Sequence, residues 1–353
     1  MHKKTKAREE HGMKAMLLKN IRRLEPGVDP LETGDIPLPI ERDDELLVRV
    51  STCGVCHTEL DEIEGRTAPA RLPVVPGHQI IGRVERAGQK ATRFKEGDRV
   101  GIAWIHSSCG RCAHCLKGDD NLCDDFKATG RDVDGGYAEY TTVSEEFAFP
   151  VPQMFSDAEA APLLCAGTIG YRSLRLTGMK DGESLGLTGF GASAHLVIQM
   201  ARHKYPNSPV FVFARSETER DFAMALGARW AGAIEDHSPE KLHAIIDTTP
   251  AWKPVLESLK NLHKGGRLVI NAIRKEEWDK ESLLALDYPA HLWLEKEIKS
   301  VANVARRDVS EFLLMAAEIP IKPEIEEFPL EEANKALWEL KESRIRGAKV
   351  LVL

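Results

Sequence analysis

Ser184-Leu185-Gly186-Leu187-Thr188-Gly189-Phe190-Gly191-Ala192-Ser193-Ala194 is the stretch that decides the fold. Its first half is a short run without polar alternation, the kind buried on both faces of a sheet. Its second half is G-x-G-x-x-A, in which small residues let the backbone approach a diphosphate seated on the N-terminus of the following helix. A glycine-rich turn is often only a turn, so the flanks must decide. Downstream, Val210-Phe211-Val212-Phe213, Ala244-Ile245-Ile246-Asp247 and Arg267-Leu268-Val269-Ile270 repeat the apolar run, with a helical pattern over 217–226. The connections are too long for hairpins, which implies a parallel sheet with helices on both faces. Residues 156–300 therefore read as a doubly wound, Rossmann-type domain for a dinucleotide. Gly189, Gly191, Ala192, Ser193 and Ala194 form its phosphate turn.

Selectivity is expected at the end of the second strand, where an acidic residue accepts from the ribose 2′-hydroxyl of NAD. Ala214, Arg215 and Ser216 stand there instead. No carboxylate repels a 2′-phosphate, and Arg215 can pair with one. NADP(H) is favoured, with NAD(H) possible.

Working outward, residues 1–155 read as a β-rich domain. Glu45-Leu46-Leu47-Val48-Arg49-Val50 and Ile80-Ile81-Gly82-Arg83-Val84 are strand patterns broken by Gly, Pro and Asp. Residues 1–12 are charged and lack an apolar stretch, so they read as a solvated tail and not a signal peptide. The segment 301–353 carries a helix over 331–342 and a terminal apolar strand. At 353 residues the chain suits two domains. Its net charge of −7 lacks the basic excess that nucleic-acid binding demands. No apolar run reaches the roughly 20 residues needed to span a bilayer. A cytoplasmic, reducing compartment follows.

That compartment sharpens the meaning of seven cysteines, an odd count that excludes a fully paired framework within one chain. Cys109, Cys112, Cys115 and Cys123 follow C-x2-C-x2-C-x7-C. Four thiolates so spaced can close a tetrahedral zinc shell with no open position, which makes such a site structural. An iron–sulfur cluster and plain buried thiols are the alternatives the same spacing allows. His114 lies inside the lobe and is not needed as a ligand. Taken singly, Cys53, Cys56 and Cys165 are more often small buried hydrophobes than ligands.

Several motifs fall together in register: Gly54-Val55-Cys56-His57-Thr58, Gly77-His78-Gln79-x-x-Gly82-x-Val84, Phe94-x-x-Gly97-Asp98-x-Val100, the four-cysteine lobe, Gly135-Gly136-Tyr137-Ala138-Glu139-Tyr140 and Cys165-Ala166-Gly167. This order and spacing resembles the zinc-containing alcohol dehydrogenases of the medium-chain dehydrogenase/reductase superfamily, from Met13 onward. The resemblance implies a GroES-like catalytic domain, completed by 301–353, beside the Rossmann domain, with the active site in the cleft between them. It implies two zinc ions per chain, the catalytic one on Cys56, His78 and Cys165, leaving Cys53 as a bystander. By the same resemblance Thr58 takes the substrate proton and Glu59 orients a zinc ligand from a position usually held by aspartate. Asp61 stands where many members carry a relay histidine, so a carboxylate, water or His57 must pass the proton on. Gln79 replaces a common glutamate, and Ile169 and Ser193 alter positions behind the nicotinamide ring.

The activity so implied is hydride transfer between a nicotinamide cofactor and a zinc-bound alcohol, aldehyde or ketone, by a homodimer or homotetramer. A zinc-independent quinone or enoyl reductase of the same superfamily lacks the cysteine ligands present here. A non-catalytic protein that binds zinc and nucleotide is the reading from outside enzymology. Substrate identity depends on pocket shape, which single-sequence patterns do not carry.

Overall fold

A computed structural model describes residues 12–319, 321–342 and 347–353. Of the expected tail, 1–11 lie outside the described residues. Gly12 is no tail: it opens a strand opposite Pro37.

In chain order the β-rich part runs β1 (Gly12–Leu18), β2 (Leu31–Pro37), β3 (Glu45–Val55), α1 (His57–Ile63), β4 (Ile80–Ala87), β5 (Arg99–Ile102), β6 (Ile105–Ser107), α2 (Ala113–Leu116), β7 (Lys127–Ala128), β8 (Tyr140–Ser144), β9 (Ala148–Pro150) and α3 (Asp157–Ala160). Next come α4 (Ala166–Thr177), β10 (Leu185–Thr188), α5 (Ala194–Lys204), β11 (Val210–Phe213), α6 (Glu217–Ala225), β12 (Trp230–Gly232), β13 (Leu242–Asp247), α7 (Lys253–Asn261), β14 (Leu262–Ile270), α8 (Tyr288–His291) and β15 (Glu297–Ser300). The chain closes with α9 (Arg306–Glu318), β16 (Ile325–Pro329), α10 (Ala333–Lys341) and β17 (Ala348–Val352).

Two compact units result. The first comprises the described residues of Met1–Cys165, Val304–Leu314 and Lys322–Leu353; the second comprises those of Ala166–Asn303 and Met315–Ile321. The stretch 156–165, grouped above with the Rossmann part, packs in the first unit. A capping box at Ser156 starts α3, and Thr52 of β3 donates to the Asp157 carbonyl at 3.0 Å.

The first unit is built on a seven-stranded sheet, β16-β17-β3-β4-β5-β9, with β8 also paired to β3. β3 is its spine. Along its eleven residues it pairs with β4, β8 and β17, and its register against β4 slips twice, between Leu47 and Val48 and between Val50 and Thr52. Such irregularities bend a strand. The bent strand ends at Val55, one residue before Cys56, so the sheet fixes where α1 begins.

The second unit holds a six-stranded, wholly parallel sheet in the order β12-β11-β10-β13-β14-β15. Phe211, Ile245 and Leu268 face Val255 and Leu259 of α7 in a buried cluster, which explains the doubly apolar runs. In such a sheet ligands bind at the carboxyl ends of the strands. β10 sits between β11 and β13, so the turns after Thr188, Phe213 and Asp247 open side by side. Among the described residues no helix is long and apolar enough to cross a membrane.

Candidate metal centres and cofactor turn

Cys56 is the N-cap of α1, with its Sγ accepting from the Thr58 amide at 3.3 Å. Glu59, three residues on, returns the bond: its Oε2 accepts from the Cys56 amide at 2.9 Å. Its other oxygen, Oε1, lies 2.5 Å from His78 Nδ1. Glu59 and His78 are both fully buried. With Nδ1 facing a carboxylate, Nε2 of His78 is turned inward, 3.6 Å from Cys56 Sγ. Cys165, at the end of the Ala161–Leu164 turn, completes a set whose donor atoms all lie within 4.8 Å of one another.

The buried donors of this set hold their protons tightly. A hydrogen bond with Cys165, burial and the Glu59 charge together push the Cys56 thiol well above its ordinary range. Burial opposes the imidazolium of His78, but the Glu59 carboxylate and Cys56 outweigh it and hold its pKa high. Metal binding requires these donors to give up their protons, and a divalent cation would supply in their place the positive charge that the Glu59 carboxylate and two thiolates need. Two sulfurs and one imidazole are borderline-soft donors of the kind zinc takes, and three protein ligands leave a coordination position open.

Backbone contacts hold His78 in place. The amides of Gly135, Gly136 and Tyr137 donate to the carbonyls of Val75, Gly77 and Pro76 at 2.7, 3.0 and 3.0 Å. A β-carbon on Gly135 would sit 2.1 Å from the Gly77 carbonyl oxygen, which accounts for the paired glycines. Gly77 itself has φ +98°, and a β-carbon there would fall 2.4 Å from the Tyr137 ring and 2.9 Å from Cys53 Sγ. Cys53 thus packs behind the centre without joining it. Gln79 is equally occupied, with its carbonyl accepting from Gly54 at 2.9 Å and its amide lying against Gly54.

The remaining residues of this region differ in setting. Thr58 is buried at 8% exposure, and His57, at the first position of α1, is exposed. Asp61 is buried and accepts from Arg66 Nε at 2.6 Å.

The second centre is the lobe. Cys112 N donates to Cys109 Sγ at 3.3 Å, Cys115 N to Cys112 Sγ at 3.5 Å and Cys109 N to Cys123 Sγ at 3.4 Å. The amides of Arg111 and Cys112 lower the Cys109 thiol to about 6, whereas burial raises Cys123 to about 12. Sulfur separations of 3.5 Å for Cys112–Cys115 and 3.9 Å for Cys109–Cys115 bracket the ~3.8 Å edge of a tetrahedron with ~2.3 Å Zn–S bonds. His114 is exposed and outside the four-sulfur set. Arg306 and Arg307, which the motifs did not reveal, anchor the lobe. Arg306 Nε donates to Asp120 at 2.6 Å, and Arg307 Nη1 to the Lys117 carbonyl at 3.1 Å.

In the second unit Gly189 has φ +80°, and a β-carbon there would lie 2.8 Å from Thr248 Oγ1. Gly191 faces open space, a cradle that a side chain would fill. α5 begins at Ala194, and the Ser193 hydroxyl is turned to the Ala166 carbonyl at 3.1 Å and to Asn271 at 3.3 Å. Ala192 is exposed, and Ile169 on α4 is half-buried. At the end of β11, Ala214 is buried while Arg215 and Ser216 are exposed, and Ser216 caps α6. Sequence reasoning missed Arg220, whose Nη1 donates to the carbonyls of Ala214 and Arg215 at 3.0 and 3.1 Å. Its signal was its place four residues after Ser216, one turn into α6. The open turn suits a dinucleotide diphosphate.

One unit carries a parallel sheet with this turn and the other carries a three-donor set and a four-sulfur set, the features of a dehydrogenase. Comparison with known proteins narrows the class. The alcohol dehydrogenase GroES-like domain family matches residues 42–153. A protein of Mycobacterium tuberculosis named probable alcohol dehydrogenase AdhA is 41% identical over 92% of this chain and 93% of its own. An alcohol dehydrogenase of Geobacillus stearothermophilus is 32% identical over 91% of this chain and 96% of its own. A solved cinnamyl alcohol dehydrogenase from Sorghum bicolor, 26% identical, superposes with a TM-score of 0.82 over 97% of this chain and 98% of its own. The chain belongs to the zinc-containing alcohol dehydrogenases of the medium-chain dehydrogenase/reductase superfamily. Membership makes it an oxidoreductase of the alcohol dehydrogenase/reductase type.

Gly77→Ala tests the backbone cradle. The left-handed φ alone costs about 1–2 kcal/mol for a residue with a β-carbon, and the overlap with Tyr137 adds to it. Thermal unfolding should show the loss, and metal retained after dialysis should fall with it as His78 shifts.

Proposed function

We propose that this chain interconverts small alcohols with their aldehydes or ketones, using a catalytic zinc on Cys56, His78 and Cys165 and NADP(H) in preference to NAD(H). A structural zinc on Cys109, Cys112, Cys115 and Cys123 makes two ions per chain. The observation that carries this reading is the contrast between a three-donor set and a four-sulfur set, since only the first leaves room for a substrate oxygen. Bound in these places, zinc supplies Lewis acidity toward an alcohol or carbonyl oxygen and the nicotinamide dinucleotide supplies the hydride acceptor or donor.

The chain's own residues do the rest. Glu59 fixes the ring of His78 and the start of α1 together. Thr58, two residues from Cys56, has a hydroxyl that can both accept and donate, as a proton relay requires. Asp61 is held by Arg66, so the onward route that the geometry supports best leads past exposed His57 to solvent. Gly189, Gly191, Ala192, Ser193 and Ala194 receive the diphosphate, with Ile169 toward the nicotinamide end. Arg215 and Arg220 bring two guanidinium groups to the end of β11, where a 2′-phosphate would lie. Seven cysteines without a disulfide suit a reducing, cytoplasmic compartment.

Metal analysis of wild type and variants, with turnover on an alcohol panel, tests the catalytic assignment. Cys56→Ser should keep the four-sulfur zinc and the fold but lose turnover, whereas Cys109→Ser should lower the unfolding temperature. Wild-type turnover by Cys56→Ser of verified metal content refutes the assignment. For the cofactor, Arg215→Ala should reduce kcat/KM with NADP⁺ about tenfold, the worth of one charge-assisted contact, and leave NAD⁺ unchanged.

We further propose a homodimer. β15 is the exposed edge of the parallel sheet, and Ile298 lies between Glu297 and Lys299. Antiparallel pairing about a two-fold axis at Ile298 sets each Glu297 against the partner's Lys299, a self-complementary match. Sedimentation should give twice the chain mass, and Ile298→Pro should halve it; a dimer unchanged by that substitution places the interface elsewhere.

A further inference from the structure

One deeply buried ion pair of the second unit has no part in the chemistry above. Lys275 and Asp247 have side chains only 7% and 0% exposed. Lys275 Nζ donates to an Asp247 carboxylate oxygen and to the carbonyls of Thr249 and Ala251 at 2.7 and 3.0 Å. Three acceptors use all three N–H bonds of an ammonium. Asp247 Oδ1 in turn accepts from the Thr249 amide at 3.1 Å and hydroxyl at 2.7 Å. The turn 247–251 is therefore wound around a single cation. Burial pushes the Asp247 carboxyl up, and Lys275 draws it back.

A buried pair of this kind is poor value as a staple, because desolvating two charges offsets most of their attraction. What it does achieve is placement. Thr248 donates through its amide and its hydroxyl to the Thr188 carbonyl at 2.9 and 3.1 Å. Thr248 Oγ1 and Thr249 Cγ2 stand 2.8 and 3.0 Å from where a β-carbon on Gly189 would be. The turn is thus one wall of the glycine-rich loop. The same segment that carries Lys275 reaches Ser193 through Asn271 at 3.3 Å, while the Asn271 amide donates to the Asp247 carbonyl at 2.8 Å.

The strand order says which half of the dinucleotide this wall meets. β10 has β11 on one side and β13 on the other. The adenosine half is read at the end of β11, over Ala214 to Ser216. The other half must leave the glycine-rich loop toward β13, where 247–251 stands. We propose that Lys275 is a positioning residue for the nicotinamide half of the cofactor, holding Thr248 and Thr249 against Gly189 in the form that half requires. This rests on the dinucleotide-binding reading above.

Calorimetric titration of NADPH and NADH, alongside their adenosine halves 2′,5′-ADP and AMP, separates the possibilities in wild type, Lys275→Met and the double variant Asp247→Asn/Lys275→Met. Lys275→Met should weaken the preferred dinucleotide about tenfold or more and its adenosine half less than about twofold, the range of a lost coupling between neighbouring groups. The single variant leaves a buried carboxylate without its cation, so its unfolding temperature should drop. The double variant removes that charge and should recover the unfolding temperature without recovering dinucleotide affinity. A double variant that binds the dinucleotide like wild type overturns the inference, and so does an equal loss for both ligands. Wild type that binds neither dinucleotide overturns the underlying reading and the inference with it.

Discussion

Everything at the open centre depends on the Glu59 carboxylate. It is fully buried, and a buried charge is tolerated only when its lone pairs are satisfied. One oxygen caps α1 by accepting from Cys56 N, and the other faces His78 Nδ1. The first bond fixes where the helix starts and hence where the Cys56 sulfur points. The second fixes the ring of His78, leaving Nε2 for a metal. Two donors, three and nineteen residues from Glu59 in the chain, are thus set by one group, and only a third, Cys165, must arrive independently.

This arrangement also explains why the two centres differ. In the lobe, backbone amides point at sulfur, and one turn of chain supplies the whole set. A local set closes on itself. The open centre draws its donors from the end of β3, the segment before β4 and the turn after α3, each held by a different device: a capping box, a glycine-cradled backbone ladder and a short helical turn. A site assembled from three distant segments can leave a coordination position vacant, because no loop is obliged to fill it.

The same distinction governs how much was legible beforehand. The strands Val210–Phe213 and Leu185–Thr188 were plain from apolar runs because both faces are covered. β15 was not, since Glu297-Ile298-Lys299-Ser300 is an exposed edge without such a run. Lys349 was equally hidden. It sits fully buried beside an apolar terminal run, with its ammonium between Glu326 and Glu339 at 2.5 and 2.6 Å and over the Phe328 ring. The lobe could be read from spacing, with zinc left beside other possibilities. Cys56, His78 and Cys165 could be joined only through the family resemblance. The C-x-x-E capping box at Cys56 was present in the letters but concealed, because the familiar form begins with serine or threonine.

Arg220 and Lys275 show why the cofactor end is harder to read than the metal end. Metal ligands belong to a short list of residue types, so a cysteine or histidine announces itself. A lysine or arginine is ordinarily a surface residue, and its role appears only when its acceptors are known. Arg220 spends its guanidinium on the carbonyls of Ala214 and Arg215, and Lys275 spends its ammonium on the turn after β13. Both cations bind backbone carbonyls just past the carboxyl ends of the strands that flank β10. The glycine-rich loop supplies little rigidity of its own. Its shape is therefore imposed by neighbours on either side, and the cations that fix those neighbours lie outside its motif.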